Sequence, residues 1–316
     1  MPSIERRSFI KNGAFGIVSL AMLPGLSGYK TMLDPATKAQ FRISLAQWSL
    51  HRSLRNKTMD HLDFARLAAS DFGIYGIEYV NTFFKDKASD SKYLAEMNAR
   101  AGDAGVEQLL IMIDGEGGLA ELDDTIRTAA VTNHYKWVEA AKTLGCHSIR
   151  VNAYGVSDDR AALHAAAVDG LGMLTSFAEK VGINVIVENH GGLSSDGKWL
   201  AGVIREVNMP GCGTLPDFGN FCLRQADDGM GHSSCVDEYD RYQGVEELMP
   251  FAKAVSAKSY DFDAAGNETT IDFQRMVSIV KKSGYKGYLG IEYEGSRLSE
   301  HEGIKATKKL LDRLIP

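Results

Sequence analysis

The chain has 316 residues, of which 44% are hydrophobic, 24% charged and 9% aromatic, a near-average globular composition that excludes disorder, collagen and coiled coil as the main state. Against 35 Lys and Arg stand 41 Asp and Glu, a net charge of −6; with no long basic run, a nucleic-acid surface lacks support and a small-molecule partner is expected. The four cysteines show no C-x-x-C spacing, which argues against a Cys-based zinc site and a redox dithiol.

In chain order, the first segment is Arg6-Arg7-Ser8-Phe9-Ile10-Lys11 followed by an apolar stretch, rich in Gly and Ala, from Ala14 to Leu26. It resembles a twin-arginine export signal; a first amphipathic helix with a chance Arg pair is the alternative. The stretch is well short of the roughly 20 residues of a spanning helix, so no stable membrane anchor is expected. Residues 1–35 are therefore read as export signal and linker, and the protein as periplasmic.

From Phe41 onward, short β-rich apolar runs alternate with longer helical periods, the pattern of βα units around a parallel sheet. The expected strands are Ile43–Ser49, Gly76–Asn81, Gln108–Asp114, Ser148–Ala153, Asn184–Asn189, Gly213–Asp217, Ala254–Ser259 and Gly287–Tyr293. The expected helices are His61–Phe72, Lys92–Ala104, Thr125–Leu144, Arg160–Val181, Lys198–Val207, Tyr239–Ala252, Phe273–Ser283 and Gly303–Leu314. Gly73, Gly105, Gly145, Gly182 and Gly284 stand where helices should end. Eight such pairs over 40–316 predict an α/β protein, a single-domain (β/α)8 TIM barrel. The long connection from Phe218 to Glu238 reads as an insertion over part of the site, with Cys222 and Cys235 either disulfide-bonded or two free thiols. Neither a dinucleotide-binding G-x-G-x-x-G, a P-loop nor an H-E-x-x-H motif is present.

In a barrel the strand C-termini face the active-site mouth. Gln47-Trp48, Glu78, Arg150-Val151-Asn152, Glu188-Asn189-His190, Asp217-Phe218-Gly219-Asn220, Lys258 and Glu292-Tyr293-Glu294 lie there. Carboxylates placed directly after apolar strand residues are costly unless paired or bound to a cation. Glu188, Asp217 and Glu292, from the fifth, sixth and eighth strands, can converge on one point, and such hard oxygen donors suit Mn2+ or Mg2+. A salt-bridge network with Lys258 or Arg150 is the structural alternative. Gln47, Trp48, Asn152, His190 and Asn220 are candidate substrate contacts; Glu78 either positions substrate or pairs with Arg150 or Lys258. Trp48 and Phe83 offer faces for sugar stacking, although core packing is the commoner fate of aromatics.

The runs Val187-Glu188-Asn189-His190-Gly191-Gly192, Leu215-Pro216-Asp217-Phe218-Gly219-Asn220 and Gly290-Ile291-Glu292-Tyr293-Glu294-Gly295 resemble the xylose isomerase-like TIM-barrel superfamily, in particular its sugar phosphate isomerase/epimerase group. The resemblance implies a divalent metal on Glu188, Asp217 and Glu292, with Glu188 and Glu292 also moving protons. It places Lys258 at the family's fourth-ligand position and Asn220 where epimerases often carry a substrate-binding His. A protonated Lys cannot ligate a cation, so either the metal keeps three protein ligands, or Lys258 takes over part of its electrostatic role and joins the catalytic set. The implied reaction is isomerisation or epimerisation of an unphosphorylated sugar or keto-sugar through an enediolate. A keto-glycoside lyase or hydrolase on the same barrel, and a non-catalytic sugar-binding protein, are the alternatives; oligomerisation stays open.

Overall fold

The computed structural model describes residues 41–227 and 233–315. The expected export signal and linker lie outside the described residues.

Eight strands form one parallel sheet: β1 (Arg42–Ala46), β2 (Gly76–Val80), β3 (Glu107–Met112), β4 (Ser148–Val151), β5 (Asn184–Glu188), β6 (Cys212–Leu215), β9 (Val255–Ser259) and β10 (Tyr288–Tyr293). Their order is β6-β5-β4-β3-β2-β1-β10-β9. The remaining seam is closed just beyond β6, where Ser256 N donates to Pro216 O at 2.9 Å and Phe218 N to Ser256 O at 3.1 Å. This is a closed (β/α)8 barrel, as the alternating pattern predicts.

Two apolar layers hold it. Ala46, Val80, Leu110, Met112, Ile186, Leu215 and Ala254 fill the barrel interior, while the outward strand residues pack on the helix ring, as Ile149, Val185 and Leu289 do. Most helices of that ring start on an Asp side chain: Asp90, Asp123, Asp159, Asp196, Asp240 and Asp272 each accept from first-turn N–H groups, satisfying donors the helix cannot. The five glycines expected at helix ends all have positive φ, between 62° and 78°.

Two details differ from the sequence reading. The first strand stops at Ala46, and Gln47–Leu50 turns into a 3-10 helix that leads into α1 (His51–Arg55). The long connection after β6 is an antiparallel hairpin, β7 (Cys222–Asp227) and β8 (Ser233–Glu238). Of the two states open to its cysteines, the disulfide is present, joining Cys222 to Cys235 across the hairpin.

Candidate active site

Strand alternation sets which side chains enter the barrel. On β9 the inward series is Ala254, Ser256, Lys258; on β10 it is Gly290, Glu292, Glu294; on β5, Ile186 and Glu188. These series end at the C-terminal mouth, where Glu188, Asp217 and Glu292 bring one carboxylate oxygen each to within 4.8 Å of one another, all three residues buried.

Each acid is held by named partners. Asn220 Nδ2 donates to Glu188 Oε1 at 3.0 Å. Arg150 Nε lies 2.7 Å from Glu188 Oε2, yet neither atom has a hydrogen-bond partner: the contact is an ion pair whose N–H points elsewhere, and this oxygen keeps its lone pairs open. Asp217 Oδ1 accepts from the backbone N–H of Gly219 (2.8 Å) and Asn220 (2.7 Å), and Oδ2 from Ser256 Oγ (2.5 Å). Ser256 Oγ is also 3.3 Å from Glu292 Oε2.

Lys258 sits in the middle. Its Nζ is 3.0 Å from Glu292 Oε1 and 3.1 Å from Glu294 Oε2, and it donates to Asn220 Oδ1 at 3.2 Å. Burial would lower its pKa, but Glu292, Asp217, Glu294 and Glu188 outweigh that and push it well above the ordinary lysine value. Lys258 is therefore a fixed cation and no ligand. Gly219 makes room for it, since a Cβ there would fall 2.9 Å from the lysine Cδ and 2.6 Å from the Tyr260 hydroxyl. Glu294 hands the network outward to the indole N–H of Trp48, whose ring stacks on His51 at 5.1 Å and leans on Phe83 at 6.1 Å.

Five carboxylates (Glu188, Asp217, Glu292, Glu294 and Asp114) thus surround two cations, Arg150 and Lys258. The salt-bridge network and the acidic convergence expected from the sequence exist together. Burial pushes the Glu188 carboxyl up to about 7, against the pull of Arg150 and with the help of Glu292. Asp217 likewise rises to about 7 through burial, with Lys258 opposing. Asp114 goes the other way, held at about 2 by the Arg150 guanidinium, 2.8 Å away. Three buried all-oxygen donors with surplus negative charge and one open carboxylate oxygen fit a hard divalent cation.

The other sequence candidates divide. Asn152 donates to Asp114 Oδ1 at 2.9 Å and, with His190, lines a pocket beside the acid cluster. Asn220 spends both ends of its amide on Glu188 and Lys258, which makes it a positioning residue. Gln47 is fully buried, its Oε1 accepting from Val80 N at 3.0 Å and its Nε2 meeting His61 Nδ1 at 2.8 Å, so both ends of its amide clamp the first turn to β2. Glu78 does not reach the mouth, nor does it pair with Arg150 or Lys258. Ser44 Oγ donates to it at 2.6 Å, and it lines a cavity with Arg42, His147 and Lys253 at the strand starts. Gly290 admits it there, because a Cβ at 290 would lie 2.5 Å from Glu78 Oε1.

Sequence position alone does not bring Ser256 and Asp114 into the site, gives Glu294 a place at the mouth without a role, and gives Arg150 only a pairing role. The inward parity of Ser256 with Lys258, and of Glu294 with Glu292, was the signal available.

A family model described as a xylose isomerase-like TIM barrel matches residues 67–314. The C-glycoside deglycosidase alpha subunit of Arthrobacter globiformis is 42% identical over 66 residues, 20% of this chain and 19% of that protein. L-ribulose-5-phosphate 3-epimerase UlaE of Salmonella heidelberg is 26% identical over 184 residues, 55% of this chain and 59% of the relative. The chain thus spans less than two thirds of either curated relative. Among solved structures, an IOLI protein described with a binding zinc atom superposes with a TM-score of 0.66 at 15% identity, covering 87% of this chain and 98% of that one, a likeness of fold.

Proposed function

The chain belongs to the xylose isomerase-like TIM-barrel family, and from that premise we propose that it is a sugar isomerase or epimerase acting on an unphosphorylated sugar or keto-sugar through an enediolate. The observation that carries this reading is the buried convergence of Glu188, Asp217 and Glu292 at the barrel mouth. A divalent cation, Mn2+ or Mg2+, held by these three carboxylates supplies Lewis acidity toward a carbonyl oxygen. The protein's own groups do the rest. One of Glu188 and Glu292 accepts the proton from the carbon next to the carbonyl, the C–H electron pair forms the enediolate, and the other carboxyl returns a proton to the opposite face or the neighbouring carbon. Glu188, pushed up to about 7 by burial, can both take and give a proton near neutral pH. Asn220 fixes its orientation, and the Lys258 ammonium places a permanent positive charge beside the developing oxyanion.

Arg150 and Lys258 both face carboxylates, which offset the positive charge a phosphate would need; this supports an unphosphorylated substrate. The Cys222–Cys235 disulfide supports export to an oxidising compartment, the periplasm, as the twin-arginine segment suggests.

A second reading, elimination from a keto-glycoside by the same proton abstraction, is favoured by the Arthrobacter relative's name and by a lysine where the family places a ligand. Incubating candidate sugars and glycosides with the protein and Mn2+ in heavy water, followed by NMR, tests both. Deuterium at the α-carbon with an epimer or isomer supports the first, release of the β-substituent the second. No exchange with any substrate would leave a sugar-binding protein.

A further inference from the structure

Beside the acid cluster lies a second cavity of about 200 Å³, lined by Asn152, Tyr154, Leu163, His190, Leu193 and Trp199 among others. Its wall is continuous with the cluster. Asn152 donates to the same Asp114 oxygen that Arg150 holds at 2.8 Å, and Arg150 lies 2.7 Å from Glu188; His190 follows Glu188 by two residues. The acid cluster and this cavity therefore share a wall built from Asn152, Asp114 and Arg150.

The chemistry of that cavity is mostly apolar. Asn152 donates one amide N–H to Asp114, and the Trp199 indole N–H faces Arg160 O at 3.3 Å. The Ser194 hydroxyl, also in the lining, is taken by the backbone of His190 and Gly191. Beside the second amide N–H of Asn152, the His190 imidazole and the Tyr154 hydroxyl are polar side-chain groups of this lining that can serve a ligand. Tyr154 lines this cavity and is 59% exposed, so its ring is accessible at the rim. An apolar cavity of roughly 150 Å³ takes up a benzene ring, so the volume suits one six-membered ring.

We propose that this pocket binds the non-reacting half of the substrate, an aromatic or similarly planar apolar group joined to the sugar, so that the substrate is a keto-glycoside, whose ring ketone supplies the carbonyl of the enediolate step, and not a free monosaccharide. The inference rests on the sugar reading of the acid cluster and names the substrate class for it. Leu163, Leu193 and the Tyr154 and Trp199 rings supply the apolar contact, and His190 meets the oxygen linking the two halves.

Isothermal titration of phenyl and methyl glycosides of glucose, galactose and xylose into the wild-type protein and the variants Tyr154→Ala, Leu163→Trp and Glu188→Gln tests it. For at least one sugar the phenyl glycoside should bind about tenfold tighter than the methyl glycoside, the scale that partial burial of a phenyl ring allows. The preference should fall in Leu163→Trp, which fills the pocket, and in the surface change Tyr154→Ala, which cannot unfold the barrel. It should persist in Glu188→Gln. Equal binding of the two glycosides for all three sugars, no binding at all, or a preference untouched by both pocket variants would overturn the proposal. A phenyl preference lost in the pocket variants, without α-proton exchange by the wild type on the corresponding keto-glycosides in heavy water, would uphold the pocket and overturn the enediolate reading.

Discussion

Replacing Lys258 with methionine keeps the stem and removes an ammonium that is 2% exposed and lies 3.0 Å from Glu292 and 3.1 Å from Glu294. With a chelator present, this leaves the buried Glu292 and the half-buried Glu294 without their counter-charge, beside Glu188 and Asp217. Breaking a buried ion pair from one side costs about 3–5 kcal/mol. Part of this is recovered as carboxylates take up protons, so the loss should be greatest above pH 7. At roughly 2–4 °C per kcal/mol for a domain approaching this size, the melting temperature should fall by roughly 6–20 °C. Adding Mn2+ should then narrow the gap between the two proteins. The lysine no longer competes for Glu292, and a cation at a hundred times its Kd returns about 2.7 kcal/mol. The assay is thermal melting of wild type and Lys258→Met at pH 8, with chelator and across a Mn2+ titration. A variant that melts within about 1 °C of wild type in chelator, or that gains no more from Mn2+ than wild type does, would show that Lys258 is not the counter-charge of the cluster.

Glu188→Gln and Glu292→Gln should each lower α-proton exchange by about 10²–10⁴-fold with circular dichroism unchanged; a change in melting temperature with turnover intact would make the pair a structural network. Glu78 is raised to about 7 mainly by burial, with Ser44 opposing and Glu292 and Glu188 adding to the rise, so the folded state binds the extra proton. Its stability contribution is full below the unfolded value near 4.5 and is lost as pH rises towards 7. Glu78→Gln should therefore match wild type near pH 4.5 and exceed it by about 3 kcal/mol in urea unfolding at pH 8; an equal difference at both pH values would refute this. Digestion without reductant should yield one peptide pair joined through Cys222 and Cys235. Closing this short loop should hold the hairpin by about 3 kcal/mol, so Cys222→Ser should raise protease cutting near it while the barrel's melting temperature stays put.

Much of this protein is legible in the sequence because period and position carry it. Alternation of βα units sets the barrel, glycines mark the helix ends, and carboxylates placed after apolar strands announce Glu188, Asp217 and Glu292, since buried charge has few other uses. What lies outside that reach depends on neighbours distant in sequence. Parity puts Glu78 inside the barrel but not at its mouth. The ladder that pairs Lys258 with Glu292 continues from Ile291–Leu45 to Ala46–Glu78, and strands tilted by roughly 36° carry such a row along the axis, bringing Glu78 down beside Ser44 and Gly290. Gln47 looks like a strand-end polar group until the chain turns into a 3-10 helix and spends both amide ends on Val80 and His61. Lys258 is the clearest case: its type and strand are plain in the sequence, but its state is not. Only the convergence of four carboxylates around one ammonium, from three strands and the turn after β6, outweighs the cost of burying it and fixes its charge.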